Sequence, residues 1–217
     1  MGASSNFGNM FSLLGASILF PFVPMLPIQI LTNNLLYDFS QVPIPTDNVG
    51  PDQIKKPLPW DMGEITRFIL FIGPISSIFD YTTYALMWFF FKCRLPDLAP
   101  PAALASQFLH SDTDHTYRAA LFQTGWFVES LMTQTLIIHV IRTRKIPFIQ
   151  ARASTPLTLT TIIIMAVGAY LPFSALAPML RFVPLPVMYW PFIFVTLICY
   201  VILTQLVKMW LIGKKWL

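Results

Sequence analysis

Four long apolar stretches constrain the fold of this chain more than any other feature. They cover residues 65–91, 121–141, 157–173 and 187–209, and each is close to or longer than the roughly 20 residues that a helix needs to cross a bilayer. Backbone groups find no partners in lipid, so a spanning segment must be a helix or part of a closed barrel, and continuous apolar stretches exclude a barrel's alternating pattern. With 55% hydrophobic and only 11% charged residues among 217, the sequence predicts a polytopic helical membrane protein.

Two shorter segments precede these stretches and carry polar residues among apolar ones. They are separated by the proline-rich sequence PFVP, and we expect them to pack as a helical hairpin that other helices shield from lipid. An even number of spans places both termini on one side of the membrane. The predicted fold is all-α, with six transmembrane helices at about residues 3–21, 25–41, 65–91, 119–141, 155–174 and 187–209.

The distribution of lysine and arginine predicts which side the termini occupy. If they are cytoplasmic, the inner segments hold ten basic residues and the outer segments hold four, and cytoplasmic segments usually carry this excess. We therefore expect a cytoplasmic loop at residues 42–64, an outer loop at 92–118 and cytoplasmic termini. Because the basic residues lie at membrane boundaries, the net charge of +4 indicates a lipid bilayer and no nucleic acid as partner.

Three acidic residues fall within the predicted spans, namely Asp38, Asp80 and Glu129. An ionisable group inside a bilayer costs at least about 2.5–3.5 kcal/mol on insertion scales, so each is a candidate functional residue. Asn34 lies four residues before Asp38 and shares its helix face.

The preceding helix repeats this arrangement, because Asn6 and Asn9 are three residues apart on one face. If the two faces meet, Asn6, Asn9 and Asn34 join Asp38 around one point. Amide and carboxylate oxygens suit a hard, partly hydrated divalent cation such as Mg²⁺. The alternative is that the amides only hydrogen-bond between helices and that Asp38 is held protonated.

The remaining polar residues indicate a cation or metal site less clearly. Glu129, in GWFVESLMTQT, either joins the cation site or forms a hydrogen bond between helices, and we expect a structural hydrogen-bonding role for Asp80. The sequence HSDTDH at residues 110–115 has metal-ligand residue types without a recognised spacing. The two cysteines are too few and too far apart for a disulfide framework or a zinc site. We find no catalytic motif and no cofactor-binding motif.

Several stretches resemble the C-terminal membrane half of P-type cation-transporting ATPases, and most closely that of bacterial magnesium-importing ATPases. SSNFGN at residues 4–9 is similar to the ion-binding part of the fifth helix in that superfamily, and NNLLYD at residues 33–38 is similar to the sixth. Further similar stretches are FIGPISSIFD, LFQTGWFVESLMTQTLIIHVIRTRKIPFIQ and LTQLVK. The resemblance extends over nearly the whole chain except residues 95–117.

The resemblance implies a function and a location. Asn6 and Asn9 would lie on the first ligand helix, and Asn34 and Asp38 on the second. Calcium pumps have a glutamate at the position of Asn9, so the site here carries less negative charge, which favours one ion per cycle and argues against a calcium pump. The transported ion that the resemblance implies is Mg²⁺. The loop at residues 42–64 would touch the phosphorylation domain, and the protein would reside in the bacterial inner membrane.

The family's ATP-hydrolysing motifs DKTGT, TGE and GDGxND do not occur in this sequence, and neither do the family's first four helices. We therefore expect no ATPase activity from this chain alone, and expect it to work with N-terminal and cytoplasmic ATPase domains of a split or truncated pump. One alternative is a self-contained six-helix channel or carrier. Another is a non-functional remnant, or a structural partner that packs against a different membrane protein.

Overall fold

The computed structural model describes residues 2–47, 62–108, 116–143, 146–148 and 150–214. Within these ranges the chain is helical and forms no β-strand, and a long helix occupies each of the six regions where one was predicted. The helices are α1 (Gly2–Leu19), α2 (Pro27–Gln41), α3 (Met62–Ala85), α4 (Tyr117–Ile141), α5 (Thr155–Tyr170), the short α6 (Ala177–Leu180) and α7 (Tyr189–Gly213).

Local sequence explains several of these helix ends. Thr116 and Ser154 precede α4 and α5, and their hydroxyl oxygens each accept a hydrogen bond from a backbone N–H in the first turn. Pro27 begins α2, where its missing N–H costs nothing. A single π-helical turn, Leu86–Phe90, extends α3, and a 3₁₀ turn, Leu171–Phe173, extends α5.

The helix α4 lies at the centre of the bundle and contacts α2, α3, α5 and α7. Nearly all of its side chains are buried, although many of them are polar. These buried polar residues are Gln123, Thr124, Glu129, Ser130, Thr133, Gln134, Thr135 and His139. The surrounding helices expose apolar side chains instead, as α7 does with Phe194, Val195 and Ile198. The bundle is therefore polar at its centre and apolar at its surface, the arrangement that lipid favours.

Among the described residues, three helical segments are long and apolar enough to cross a membrane, namely Ile69–Phe90, Thr155–Phe173 and Tyr189–Gly213, and Phe7–Leu19 is a shorter apolar helix. The helix α2 is not among them because it has only 15 residues, and α4 has the length but contains many polar residues, which lower its hydropathy. The count of six spans therefore stays a prediction, whereas the all-helical fold is confirmed for the described residues.

The first two helices do not form the closely packed hairpin that the sequence suggested. Among the described residues, α1 packs mainly on α3, while α2 packs on α4 and α5. Small residues explain the first contact: a methyl group added to Gly8 would overlap Ser76, and one added to Gly15 would overlap Tyr81. Small residues at such positions let two helix backbones approach closely. Because α1 and α2 use different neighbours, a space remains between them.

Polar contacts tie together the segments that follow α2 and α4. Asp47 accepts hydrogen bonds from the Arg142 guanidinium and the Ser154 backbone N–H, both at 2.8 Å. Lys208 of α7 donates to the Val140 and Thr143 carbonyl oxygens at 2.8 and 3.0 Å, which places a cation at the negative end of the α4 dipole. The loop after α2 and the connection after α4 therefore lie at the same end of the bundle.

Candidate cation site

A cavity of about 260 Å³ lies between α1, α2 and α4, and three of its lining residues are asparagines. We call it the asparagine cavity. Its walls are formed by Asn9, Met10, Leu13, Met25, Ile30, Asn33, Asn34, Trp126 and Ser130. The polar members come from three different helices, so the cavity exists only in the folded bundle.

Ser130 of α4 connects the polar groups around the asparagine cavity. Its hydroxyl oxygen accepts hydrogen bonds from the Gln134 amide at 2.7 Å and the Asn33 amide at 3.2 Å. The hydroxyl itself donates to the side-chain oxygen Oδ1 of Asn9 at 3.4 Å. One serine therefore links α1, α2 and α4.

The amide carbonyl oxygens in this network are only partly used. Asn33 Oδ1 and Gln134 Oε1 are buried and have no hydrogen-bond donor among the described residues. Burying an amide oxygen without a partner is unfavourable. Of these two residues, Asn33 lines the cavity, and an amide oxygen of this kind is a ligand type that hard cations prefer.

Of the four predicted cation ligands Asn6, Asn9, Asn34 and Asp38, two line the asparagine cavity. Asn9 and Asn34 line the asparagine cavity as a pair from facing helices. Asp38 lies one helical turn beyond Asn34, but its side chain is exposed. Asn6 belongs to α1, one turn before Asn9, and its side chain lies outside the described residues. Glu129 is fully buried and is not among the residues that line the cavity.

Two polar residues of the cavity were missed from the sequence, namely Asn33 and Ser130. The buried residues of α2 are Gln29, Asn33, Tyr37 and Ser40, a stripe with helical spacing that the sequence already contains. Ser130 carries no comparable signal, because a serine within an apolar helix is common and its three partners come from distant parts of the chain.

A second polar cluster surrounds the two acidic residues of α3 and α4. The Asp80 carboxylate accepts hydrogen bonds from the Ser12 hydroxyl at 2.6 Å and from the Trp126 indole N–H at 2.8 Å. The expected structural hydrogen-bonding role of Asp80 is therefore confirmed. Glu129 of α4 is fully buried, and neither of its carboxyl oxygens has a hydrogen-bond partner among the described residues.

No cluster of three or more histidine, cysteine or acidic residues that could hold a metal occurs in the described ranges. HSDTDH at residues 110–115 lies outside those ranges. The asparagine cavity is lined by neutral polar groups only, namely side-chain amides, a hydroxyl and an indole, and its amide and hydroxyl oxygens fit a cation that keeps part of its hydration shell better than a fully dehydrated one.

A helical bundle with an apolar exterior and buried amide, hydroxyl and carboxyl groups is the general construction of membrane proteins that move ions. Sequence comparison makes this class more specific. Residues 22–210 match the family described as "Cation transporting ATPase, C-terminus". The chain belongs to this family.

Three similar proteins share the name "Magnesium-transporting ATPase, P-type 1". The chain is 51% identical over 208 residues to the one from Escherichia coli (strain K12) and 50% identical over 208 residues to one from Salmonella typhimurium (strain LT2). It is 47% identical over 214 residues to a second one from that Salmonella strain. These alignments cover 96%, 96% and 99% of this chain but 21% of each relative. The chain thus spans about a fifth of the relatives' length.

Proposed function

We propose that this chain forms the membrane ion pathway of an ATP-driven magnesium transporter, with the cation bound at the asparagine cavity. The observation that carries the proposal is the convergence of Asn9, Asn33, Asn34 and Ser130 from three helices on one space inside an apolar bundle. The names of the three relatives favour Mg²⁺ as the cargo, and oxygen ligands are the ones Mg²⁺ prefers.

The ligands in this proposal extend from the cavity by one turn along each of two helices. Asn9 and Asn34 contribute oxygens inside the cavity, Asn6 extends the set along α1, and Asp38 extends it along α2 and supplies the negative charge. We leave Glu129 out of the set because it does not line the cavity. A single carboxylate among amides would bind one divalent cation without an excess of fixed negative charge.

The exposed position of Asp38 fits a chain that works inside a longer protein. A carboxylate on a lipid-facing helix surface costs about 2.5–3.5 kcal/mol on insertion scales, and Leu31 and Leu35 on the same side of α2 are exposed as well. We propose that further helices of the pump cover this side and bring more oxygen atoms to Asp38. The relatives, whose sequences are about five times longer, have room for such helices.

We further propose that ATP is hydrolysed by other domains and that both chain termini face the cytoplasm. The loop at residues 42–64 would then receive the conformational change. Its first residues are already linked to the connection after α4 through the ion pair between Asp47 and Arg142. Movement of the loop would in this way be transmitted to α4, which carries Ser130.

The experiment is a chimera in which this chain replaces the matching C-terminal region of the Escherichia coli relative. We expect the chimera to show Mg²⁺ uptake into cells and Mg²⁺-stimulated phosphate release in membranes. Asp38→Asn should lower both activities by at least about tenfold, which corresponds to the loss of roughly 1.4 kcal/mol of cation binding. Membrane insertion, measured on blots of washed membranes, should be unchanged.

The matched control is Asp97→Asn, which makes the same change of charge at an exposed carboxylate in the outer loop. It should leave uptake and phosphate release within about twofold of the chimera, because surface substitutions away from special features have small effects. Equal activity of the Asp38→Asn chimera and the unsubstituted chimera would refute the proposed site.

A further inference from the structure

The Asp80 carboxyl group of α3 joins α1 to α4. One of its oxygens accepts a hydrogen bond from the Ser12 hydroxyl of α1 at 2.6 Å, and the other accepts one from the Trp126 indole N–H of α4 at 2.8 Å. All three side chains are buried in the bundle. Because the carboxyl group is rigid, its two acceptor oxygens fix how far apart the two donors lie. Asp80 therefore sets the separation of α1 and α4 at this level of the bundle.

Both donors lie one helical turn from polar residues of the asparagine cavity. Ser12 follows Asn9 by three residues on α1. Trp126 precedes Ser130 by four residues on α4 and itself forms part of the cavity wall. Each donor therefore shares a helix face with a cavity residue. The separation that Asp80 sets is thus passed on to the 3.4 Å contact between the Ser130 hydroxyl and Asn9 Oδ1.

The helices α1 and α4 depend on α3 for their relative position. Each of them packs on α3, and within the described ranges they pack little on each other. On the α4 side, the Tyr84 ring, one turn after Asp80, lies nearly perpendicular to the Trp126 ring with centroids 5.0 Å apart. On the α1 side, the Ser77 hydroxyl donates to the Gly8 carbonyl oxygen at 3.0 Å. Loss of the Asp80 hydrogen bonds should therefore change the spacing at the cavity without separating the helices.

We propose that Asp80 is a positioning residue of the cation site, which acts through Ser12 and Trp126 to hold the polar walls of the asparagine cavity at a spacing that suits a small divalent cation. The effect on cation binding rests on the function proposed above, whereas the effect on helix spacing does not. Asp80 does not line the cavity. Because Mg²⁺ demands near-ideal octahedral geometry, a displacement of Asn9 from Ser130 weakens its binding even though Asp80 does not touch the ion.

The first experiment measures the spacing of α1 and α4 directly, in the purified full chain in lipid nanodiscs. Two cysteines are introduced by Asn9→Cys and Ser130→Cys, and the native ones are removed by Cys93→Ala and Cys199→Ala. A disulfide forms only when two cysteines lie close together in suitable geometry, so its rate of formation on mild oxidation reports the spacing. Asp80→Leu removes both hydrogen bonds and should slow this rate by about eightfold, since two hydrogen bonds between membrane helices are lost.

Further variants test whether the hydrogen bonds are responsible. Asp80→Asn should leave the rate within about 1.5-fold, because the amide oxygen accepts from the indole and the amide NH₂ donates to the Ser12 hydroxyl, which is both a donor and an acceptor. Ser12→Ala removes one hydrogen bond and should slow the rate by about threefold. It keeps the test decisive if Asp80→Leu fails to fold, as judged by circular dichroism. The matched control Thr161→Val removes a buried 2.8 Å hydrogen bond between α5 and His139 of α4, away from the cavity, and should leave the rate unchanged.

The second experiment measures the half-saturating Mg²⁺ concentration for phosphate release by the chimera described above. Asp80→Leu should raise this concentration by about eightfold, whereas Asp80→Asn and Thr161→Val should leave it within about 1.5-fold. A residue that only stabilises the fold would instead lower the amount of active pump and leave the half-saturating concentration unchanged.

Three results would overturn the proposal. The first is a rate of disulfide formation that neither Asp80→Leu nor Ser12→Ala changes. The second is an equal slowing by Asp80→Asn or Thr161→Val, which would make the effect independent of the two hydrogen bonds. The third is an active chimera whose half-saturating Mg²⁺ concentration is the same with Asp80→Leu. An inactive unsubstituted chimera would instead refute the proposed function, while the disulfide measurement would still decide whether Asp80 sets the helix spacing.

Discussion

Replacing Ser130 with alanine should destabilise the bundle more than replacing Ser40, a buried serine of α2 whose hydroxyl makes one local hydrogen bond. The hydroxyl accepts from Gln134 at 2.7 Å and from Asn33 at 3.2 Å, and donates to Asn9 at 3.4 Å. Ser130 is 1% exposed and Gln134 is 2% exposed. Alanine removes the shared partner and leaves the amides in place.

The two shorter hydrogen bonds determine the size of the effect. Gln134 Oε1 already has no partner among the described residues, so in the variant the whole Gln134 amide would be buried without one, at a cost of about 1–3 kcal/mol. Asn33 faces the cavity, where water can replace the serine, and hydrogen bonds between membrane helices average only about 0.6 kcal/mol. We therefore expect a loss of about 2–3 kcal/mol in the free energy of unfolding.

The measurement is equilibrium unfolding of the purified chain in mixed micelles, followed by circular dichroism with increasing denaturing detergent. The matched control is Ser40→Ala, because Ser40 is equally buried but its hydroxyl donates only to the Tyr37 carbonyl oxygen in its own helix. That variant should lose less than about 1 kcal/mol, since only one local hydrogen bond of about that size is removed. If the two alanine variants unfold at the same detergent concentration, the reasoning about Ser130 is wrong.

Two further predictions concern the ends of the bundle. Asp47→Asn should lower the free energy of unfolding by about 1–3 kcal/mol, because it weakens a charge-assisted contact with Arg142. The control Asp97→Asn, at an exposed site, should change the free energy of unfolding by less than about 0.5 kcal/mol. Equal effects of the two substitutions in the same detergent titration would contradict this prediction. Burial raises the pKa of the Cys93 thiol to about 12, so at pH 8 Cys93 is almost entirely in the unreactive thiol form. In a Cys199→Ser background, a water-soluble maleimide should therefore label Cys93 only after denaturation. Labelling of the folded protein, detected as a mass increase, would show that Cys93 is accessible.

The helices were largely predictable because their determinants are local. The fourth helix was expected at residues 119–141 and is observed at Tyr117–Ile141, where Thr116 fixes its start by accepting a hydrogen bond from Ala119. The π-helical turn at Leu86–Phe90 was not predicted, since no residue in that stretch distinguishes it from a regular helix. The separation of α1 from α2 was also missed, because it depends on how closely Gly8 and Gly15 let α1 approach α3.

The cation site was only partly predictable, and α2 shows the physical reason. A four-residue spacing places Asn34 and Asp38 on one face, but spacings of four and three residues place Gln29, Asn33, Tyr37 and Ser40 on another equally well. In a soluble protein the apolar face turns inward, whereas a helix surrounded by lipid turns its polar face inward. Leu31 and Leu35 are exposed while Gln29 and Asn33 are buried, so α2 follows the second rule.

This orientation also defines what Asn34 and Asp38 can do. They lie at the flank of the buried stripe, so Asn34 reaches the cavity from its edge and Asp38 remains exposed. A residue at the flank of a polar face can contact the cavity and a neighbouring helix at the same time, which a residue at the centre of the face cannot. The negative charge of the proposed site, on Asp38, therefore lies where other helices of a longer pump could contact it. The neutral oxygens of Asn33 and Ser130 are fixed within this bundle.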